Sequence, residues 1–174
     1  MNEVLKAIKE RRSIRSYRPD MPKKEDLDTI IEAGRYAASA MGQQDVIFVA
    51  ITDRETRDRL AEVNHDIGGF PEGMDPFYGA PAVIAVLAEK EWPLRVYDGS
   101  LALGNMMLAA HSLGLASCWV HRAKEEFEMD EFKALLKELG AEGEYEGIGH
   151  LIVGYADGEY PEAAERKEGK VFYK

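Results

Sequence analysis

The sequence predicts an α/β or α+β fold around one central sheet. Four short apolar runs of strand length, near residues 46–51, 82–88, 115–120 and 148–155, are separated by segments whose apolar residues keep helical spacing. No internal repeat, low-complexity tract or break in composition interrupts the 174 residues. That length suits one domain spanning residues 1–174, large enough to bury about two thirds of the unfolded chain's surface.

The elements follow in chain order. Val4, Leu5 and Ile8 predict a short helix over residues 3–10, which feeds an arginine-rich stretch at 11–18. Pro22 and Glu25 open a second helix whose Leu27, Ile30, Ile31, Gly34 and Ala38 keep their spacing to about Ser39. Residues 46–51 are a continuous apolar run between Asp45 and Thr52, which predicts a buried strand. Asp53 can cap a helix through Leu60 and Val63 that gives way, from Asn64 to Gly79, to a loop rich in glycine and proline. Loops of that length in a compact domain tend to be functional.

Residues 82–88 predict a second buried strand. Residues 97–113 predict a helix apolar nearly all round, through Leu101, Leu103, Met106, Met107, Leu108 and Ala110. A helix without a polar face is central or covered by another subunit. Gly114 ends it, and residues 115–120 form a third strand. Residues 126–139 read as one charged surface helix with Phe127, Phe132, Leu135 and Leu136 inside, and residues 148–155 as the fourth strand. The polar tail, 156–174, ends in Val171-Phe172-Tyr173. Those three need cover, and with the apolar helix they predict a dimer.

Composition narrows the function. A hydrophobic fraction of 45% with 31% charged residues is that of a soluble globular protein. A net charge of -10 argues against general nucleic-acid binding, which draws on positive charge spread over an extended face. The N-terminus has no apolar core of a secretory signal, and the most apolar run, 99–120, is broken by Asn105, His111, Ser112 and glycines. A single cysteine, Cys118, excludes an internal disulfide. A cytoplasmic protein is expected.

Against that acidic background, residues 11–18 read Arg-Arg-Ser-Ile-Arg-Ser-Tyr-Arg. Charge runs are usually solvated faces. The alternative is an anion site, since guanidinium forks and a serine hydroxyl suit phosphate oxygens. In an extended chain Arg11, Ser13, Arg15 and Tyr17 point to one face, an anion comb, and Arg12, Ile14, Ser16 and Arg18 to the other, anchored by Ile14.

Three segments in this order and spacing resemble the flavin-dependent nitroreductase family. They are Arg11-Arg12-Ser13-Ile14-Arg15 after an N-terminal helix, Ser39-Ala40-Met41-Gly42-Gln43-Gln44 before a buried strand, and Ala80-Pro81-Ala82-Val83-Ile84 followed by the apolar helix and Gly114-Leu115-Ala116-Ser117-Cys118-Trp119. The resemblance covers nearly the whole chain. It implies an α+β sandwich, with a central mixed, mainly antiparallel sheet flanked by helices, in a homodimer whose C-terminal tail reaches the partner and whose FMN lies at the subunit interface. The arginine segment, Arg11, Arg12, Ser13 and Arg15, would then hold the cofactor, Arg11 and Ser13 at the phosphate and ribityl chain and Arg15 at the pyrimidine end of the ring. Ser39, Ala40, Met41, Gly42 and Gln44 would line the ring from the partner. Backbone groups of Trp119, Val120 and His121 would approach its reactive edge, and Arg166 and Lys167 would add cations at the phosphate. The chain departs from the family pattern at Gly42, where asparagine is usual, and at Asp45-Val46, where Pro-Trp is usual.

By that resemblance the activity is hydride transfer from NADH or NADPH through FMN to an electron-poor acceptor such as a nitroaromatic or quinone, by a ping-pong mechanism. A flavin-binding module for storage or sensing is the rival reading. No triad or metal cluster competes. Cys118 and His121, three apart on a strand, face opposite sides, which leaves Cys118 as a core thiol. His65 with Asp66 reads as loop polarity, His111 as a core or interface residue, His150 as a strand residue with a structural partner, and Trp92 as packing or stacking. Glu125-Glu126 and Glu162-Glu165 read as solvated faces, and the Gly68, Gly69 and Gly73 loop, which lacks a phosphate-loop pattern, as a mobile cover over the ring.

Overall fold

The computed structural model describes all 174 residues. Its centre is a four-stranded sheet in the order β1-β2-β4-β3, formed by β1 (Val46–Ile51), β2 (Ala82–Glu89), β3 (Ala116–Val120) and β4 (Tyr145–Gly154). Every neighbouring pair is antiparallel. The only parallel pairing is an isolated bridge between Ser13 and Ser117 at the β3 edge. The mixed, mainly antiparallel sheet is therefore antiparallel throughout its four strands.

Six α-helices pack around it: α1 (Glu3–Glu10), α2 (Lys24–Arg35), α3 (Arg54–Gly68), α4 (Arg95–Ser112), α5 (Ala123–Phe127) and α6 (Asp130–Glu138). The period of two along β2 divides the interior into two layers. Ala82, Ile84 and Val86 join a core with Leu27 and Ile30 of α2 and Leu103, Met106 and Ala110 of α4. Val83, Ala85 and Leu87 face a second core with Leu60 and Val63 of α3, Phe127 of α5 and Phe132 of α6. Both faces of β2 and β4 are covered by apolar layers, so those strands read as continuous hydrophobic runs.

Several boundaries differ from the sequence expectations, each for a physical reason. β1 has the expected limits, but as an edge strand it is only half-buried. α2 stops at Arg35, four residues before Ser39. α3 runs past Asn64 to Gly68, where Gly69 takes the left-handed conformation that ends helices. Its N-terminus is capped as expected, the Asp53 carboxylate accepting from the Thr56 N–H at 2.8 Å. The expected helix over 126–139 is two helices, α5 and α6, separated at Glu128-Met129. β4 begins at Tyr145, before the apolar run, because Gly147 lets the α5 backbone lie directly on it: a Cβ there would meet the Ala123 carbonyl oxygen at 2.2 Å.

Helix α4 is not apolar all round. It buries Asp98 on its inner side and leaves Val96, Tyr97 and Leu101 exposed. Helix α1 buries none of its residues, and its Val4, Leu5 and Ile8 lie bare. In the tail Val171, Phe172 and Tyr173 are 69%, 88% and 95% exposed on this single chain.

Candidate functional site

The arginine stretch is docked at Ser13 on the open edge of β3 and at Tyr17 on the segment that follows β4. The Ile14 N–H donates to the Ser117 carbonyl at 3.1 Å, and the Arg18 N–H to the Tyr155 carbonyl at 2.9 Å. Strict alternation fails at one point. Tyr17 was expected beside the comb, yet it is buried in the same core as Ile14, its hydroxyl donating to the Ile14 carbonyl at 2.8 Å. The chain is bridged to the sheet at Ser13 and Tyr17 but turns between them, so a residue three along returns to the inner side. Burial pushes the Tyr17 hydroxyl far above its ordinary range.

The remaining comb residues divide. Arg11 keeps a buried Nη1 that finds no partner in the chain. Arg15 is exposed and makes no ion pair. Ser13 lies beside the buried Cys118 thiol, which burial pushes up while Arg15, the Ser13 side chain and Arg11 pull it back. Arg11, Ser13 and Arg15 therefore share one electropositive patch around Cys118. Arg12 is committed elsewhere: its Nη1 donates to the carbonyls of Lys9 and Arg11, both at 2.7 Å, and so closes the end of α1.

Because Ser13 and Ser117 are bridged in parallel, the chain runs in the direction of β3 at that point only; by Tyr17 it has turned to the segment after β4, bridging Ala156 in the antiparallel sense. β3 then leads into Trp119, half-buried with an unpartnered indole N–H, buried Val120 and exposed His121, whose ring lies 5.7 Å from that of Trp119. At about 3.3 Å per residue, Ser117 and His121 are roughly 13 Å apart. His121 lies beyond the strand, so it shares no face with Cys118.

Ser39, Ala40, Met41, Gly42 and Gln44 form a separate loop. Ala40–Gly42 is a single 3₁₀ turn, and Met41, Gly42 and Gln44 all have positive φ. The Ser39 hydroxyl accepts from the Gln44 N–H at 3.0 Å, while Met41 is 93% exposed. The loop is tied to α4, where Asp98 Oδ1 accepts from the Ala40 N–H at 2.9 Å and Oδ2 from the Trp92 indole at 2.9 Å. Trp92 is thus a structural donor. Beneath lies Asp45, 1% exposed, with neither oxygen meeting a donor. Burial first, then the neighbouring Asp98, pushes the Asp45 carboxyl up to about 6. No hydrogen bond joins this loop to the comb within one chain, and Arg166 and Lys167 lie exposed in the tail without a partner.

Three features escaped the sequence. Glu126, read as solvated, is wholly buried against His150, and Asn64 donates to its Oε1 at 2.6 Å. The signal was present: Ala123, Glu126 and Phe127 share one helical face once the helix starts at residue 123. Arg122 takes a left-handed φ of 82° and lays its guanidinium over the Phe70 ring at 4.7 Å. The loop expected as a mobile cover is pinned. Arg57 pairs with Asp75 and donates to the Ala80 carbonyl at 3.0 Å, and Asp75 accepts from the Phe77 and Gly79 N–H groups at 2.8 Å.

The chain matches the Nitroreductase family over residues 8–68 and 72–155, and it belongs to that family. It is 31% identical to a nitroreductase with bound FMN from Bacteroides fragilis, with a TM-score of 0.90 over 99% of both chains. It is 26% identical to a second nitroreductase with bound FMN, from Desulfitobacterium hafniense, with a TM-score of 0.88 over the whole of both chains. Among curated sequences, an FMN reductase [NAD(P)H] of Bacillus subtilis is 39% identical over 139 residues, 67% of this chain and 53% of that protein. A relative from Methanothermobacter thermautotrophicus is 36% identical over 121 residues, and the match spans 60% of its length.

Proposed function

We propose that the chain is an FMN-dependent oxidoreductase that takes hydride from NADH or NADPH and passes it to an electron-poor organic acceptor, a nitroaromatic or quinone, by a ping-pong mechanism. The observation that carries this reading is the electropositive patch of Arg11, Ser13 and Arg15 around Cys118, tied to β3 at the Ser13–Ser117 bridge. An unpartnered buried Arg11 nitrogen belongs to that patch, and the 119–122 turn lies past the C-terminal end of β3, roughly 13 Å along the chain from the Ser117 level at which Ser13 is bridged, which suits a flavin mononucleotide laid with its phosphate at the patch and its ring toward the turn. FMN-bound neighbours of the same fold support it.

When bound, the flavin supplies the hydride chemistry, so the protein needs no acid, base or nucleophile of its own. Arg11 and Ser13 hold the phosphate end. Arg15, which keeps its charge at any ordinary pH, favours negative charge at the pyrimidine end. The 119–122 turn presents backbone to the reactive edge. The 39–44 loop, which does not reach the comb of its own chain, lines the ring of a partner's site. The bare apolar faces of α1 and α4 and the tail residues 171–173 then form the homodimer contact, and Arg166 and Lys167 come to the phosphate through the tail. No helix is long and apolar enough to cross a membrane, and a cytoplasmic enzyme is the reading adopted.

Titration with FMN, followed by quenching of its fluorescence, is expected to saturate at one per chain, and the loaded protein to oxidise NAD(P)H when a quinone is added. Absence of quenching refutes the cofactor. Quenching without turnover favours the storage or sensor reading.

A further inference from the structure

Resting on the reading that FMN lies against the 119–122 turn, we infer that Asn64 is a positioning residue for that turn, clamped in place by the buried Glu126–His150 pair. Asn64, Glu126 and His150 have no exposed surface, and each comes from a different element, α3, α5 and β4. The Asn64 amide donates twice, to Glu126 Oε1 at 2.6 Å and to the His121 carbonyl at 2.8 Å. Glu126 Oε2 bonds His150 Nε2, whose ring is walled in by Phe77 and Phe127. Glu126 also grips the turn from its other side, its own N–H donating to the Arg122 carbonyl at 3.1 Å. One buried glutamate thus holds both peptides of the turn.

The consequence comes from peptide planarity. The 121–122 peptide is trans, so its C=O and N–H point in opposite directions. Drawing the His121 carbonyl inward to Asn64 turns the Arg122 N–H outward. That N–H donates to nothing in the chain, and it belongs to a residue held at φ 82°, a conformation that arginine seldom adopts without support. A fixed outward donor at the end of β3 fits a ligand acceptor at the reactive edge of the ring. Because all three side chains are wholly buried, displacement of any one is resisted by its neighbours, and the network fixes the geometry of the turn.

The test compares FMN-loaded wild type, Asn64→Leu and Glu126→Gln by spectroelectrochemistry, with thermal melting alongside. A donor aimed at the ring's edge nitrogen binds the oxidised ring, where that nitrogen accepts, and opposes the reduced ring, where it carries hydrogen. Losing the aim should favour reduction by about tenfold, or about 30 mV upward for a two-electron couple. Glu126→Gln keeps an acceptor for Asn64 and a hydrogen bond to His150, so its potential should stay within about threefold of wild type. An unmoved potential in Asn64→Leu, whatever its melting temperature, overturns the inference, as does a Glu126→Gln potential that moves as far as that of Asn64→Leu. Should Asn64→Leu fail to fold, Asn64→Ser, too short to reach the His121 carbonyl, gives the same comparison. A wild-type chain that takes up no FMN removes the functional reading and this inference together, whereas FMN uptake with an unmoved variant potential removes this inference alone.

Discussion

Replacing Asp45 by asparagine should stabilise the protein, and only above a definite pH. The Asp45 carboxyl ordinarily loses its proton near 3.8, but in the fold burial and the adjacent Asp98 push that value to about 6. The folded state therefore holds a proton that the unfolded chain has released between these two values, and stability falls as pH rises through that window. Below about pH 4 both states are protonated and the group costs nothing. Above about pH 6 the full cost is in place, and a displacement of about two pH units at 1.36 kcal/mol each sets it at roughly 3 kcal/mol as an upper bound. Asparagine keeps the shape and carries no charge to bury. Urea denaturation of FMN-free wild type and Asp45→Asn, at one fixed protein concentration and at pH 4 through 8, measures the difference. The expected gain is close to zero at pH 4 and about 1 to 3 kcal/mol at pH 7 to 8. A gain that does not vary with pH, or a variant less stable than wild type at pH 7, refutes the reasoning.

Further predictions separate the arginines and test the assembly. Arg11→Ala should weaken FMN binding by about 1.5 to 3 kcal/mol, roughly 10- to 150-fold in Kd by fluorescence titration, and leave the flavin potential nearly unmoved. Arg15→Ala should instead lower the potential, because its charge is opposed to negative charge that the ring gains only on reduction; an unchanged potential in Arg15→Ala with a shifted one in Arg11→Ala reverses the two roles. Removal of residues 161–174, which spares the Tyr17–Ala156 bridge, should weaken both dimerisation and FMN binding, and sedimentation that shows an unaltered dimer contradicts the role given to the tail.

The strands were legible because burial on both faces leaves a continuous apolar run. β2 is the clearest case, and its limits were read to within one residue. The β3 and β4 runs were likewise visible. Local pattern carries no information on what faces what across the chain. Asn64 and Glu126 are 62 residues apart and meet only because α3 and α5 pack on the same face of the sheet. A glutamate in a charged segment resembles its solvated neighbours until its helix is placed. Tyr17 shows the same limit in an extended segment, where a turn between two bridges undoes the period of two. Asp45 drew notice as a departure from the family pattern, but its cost depends on Asp98, brought beside it by α4.

The docking of Ser13 and Ile14 on β3, with Tyr17 on the segment after β4, also protects the sheet. A strand edge with free N–H and C=O groups is a template for another chain, and natural folds blunt such edges. Here the arginine stretch supplies the cover, with Ile14 and Tyr17 as its apolar anchors and charged guanidiniums on its outer side. The β1 edge has no such cover within the chain. Damage to the anchors, as in Ile14→Asp, should therefore appear first as self-association through the uncovered β3 edge, before any loss of cofactor is measured. The stretch proposed to bind the anion is also what covers that side of the sheet.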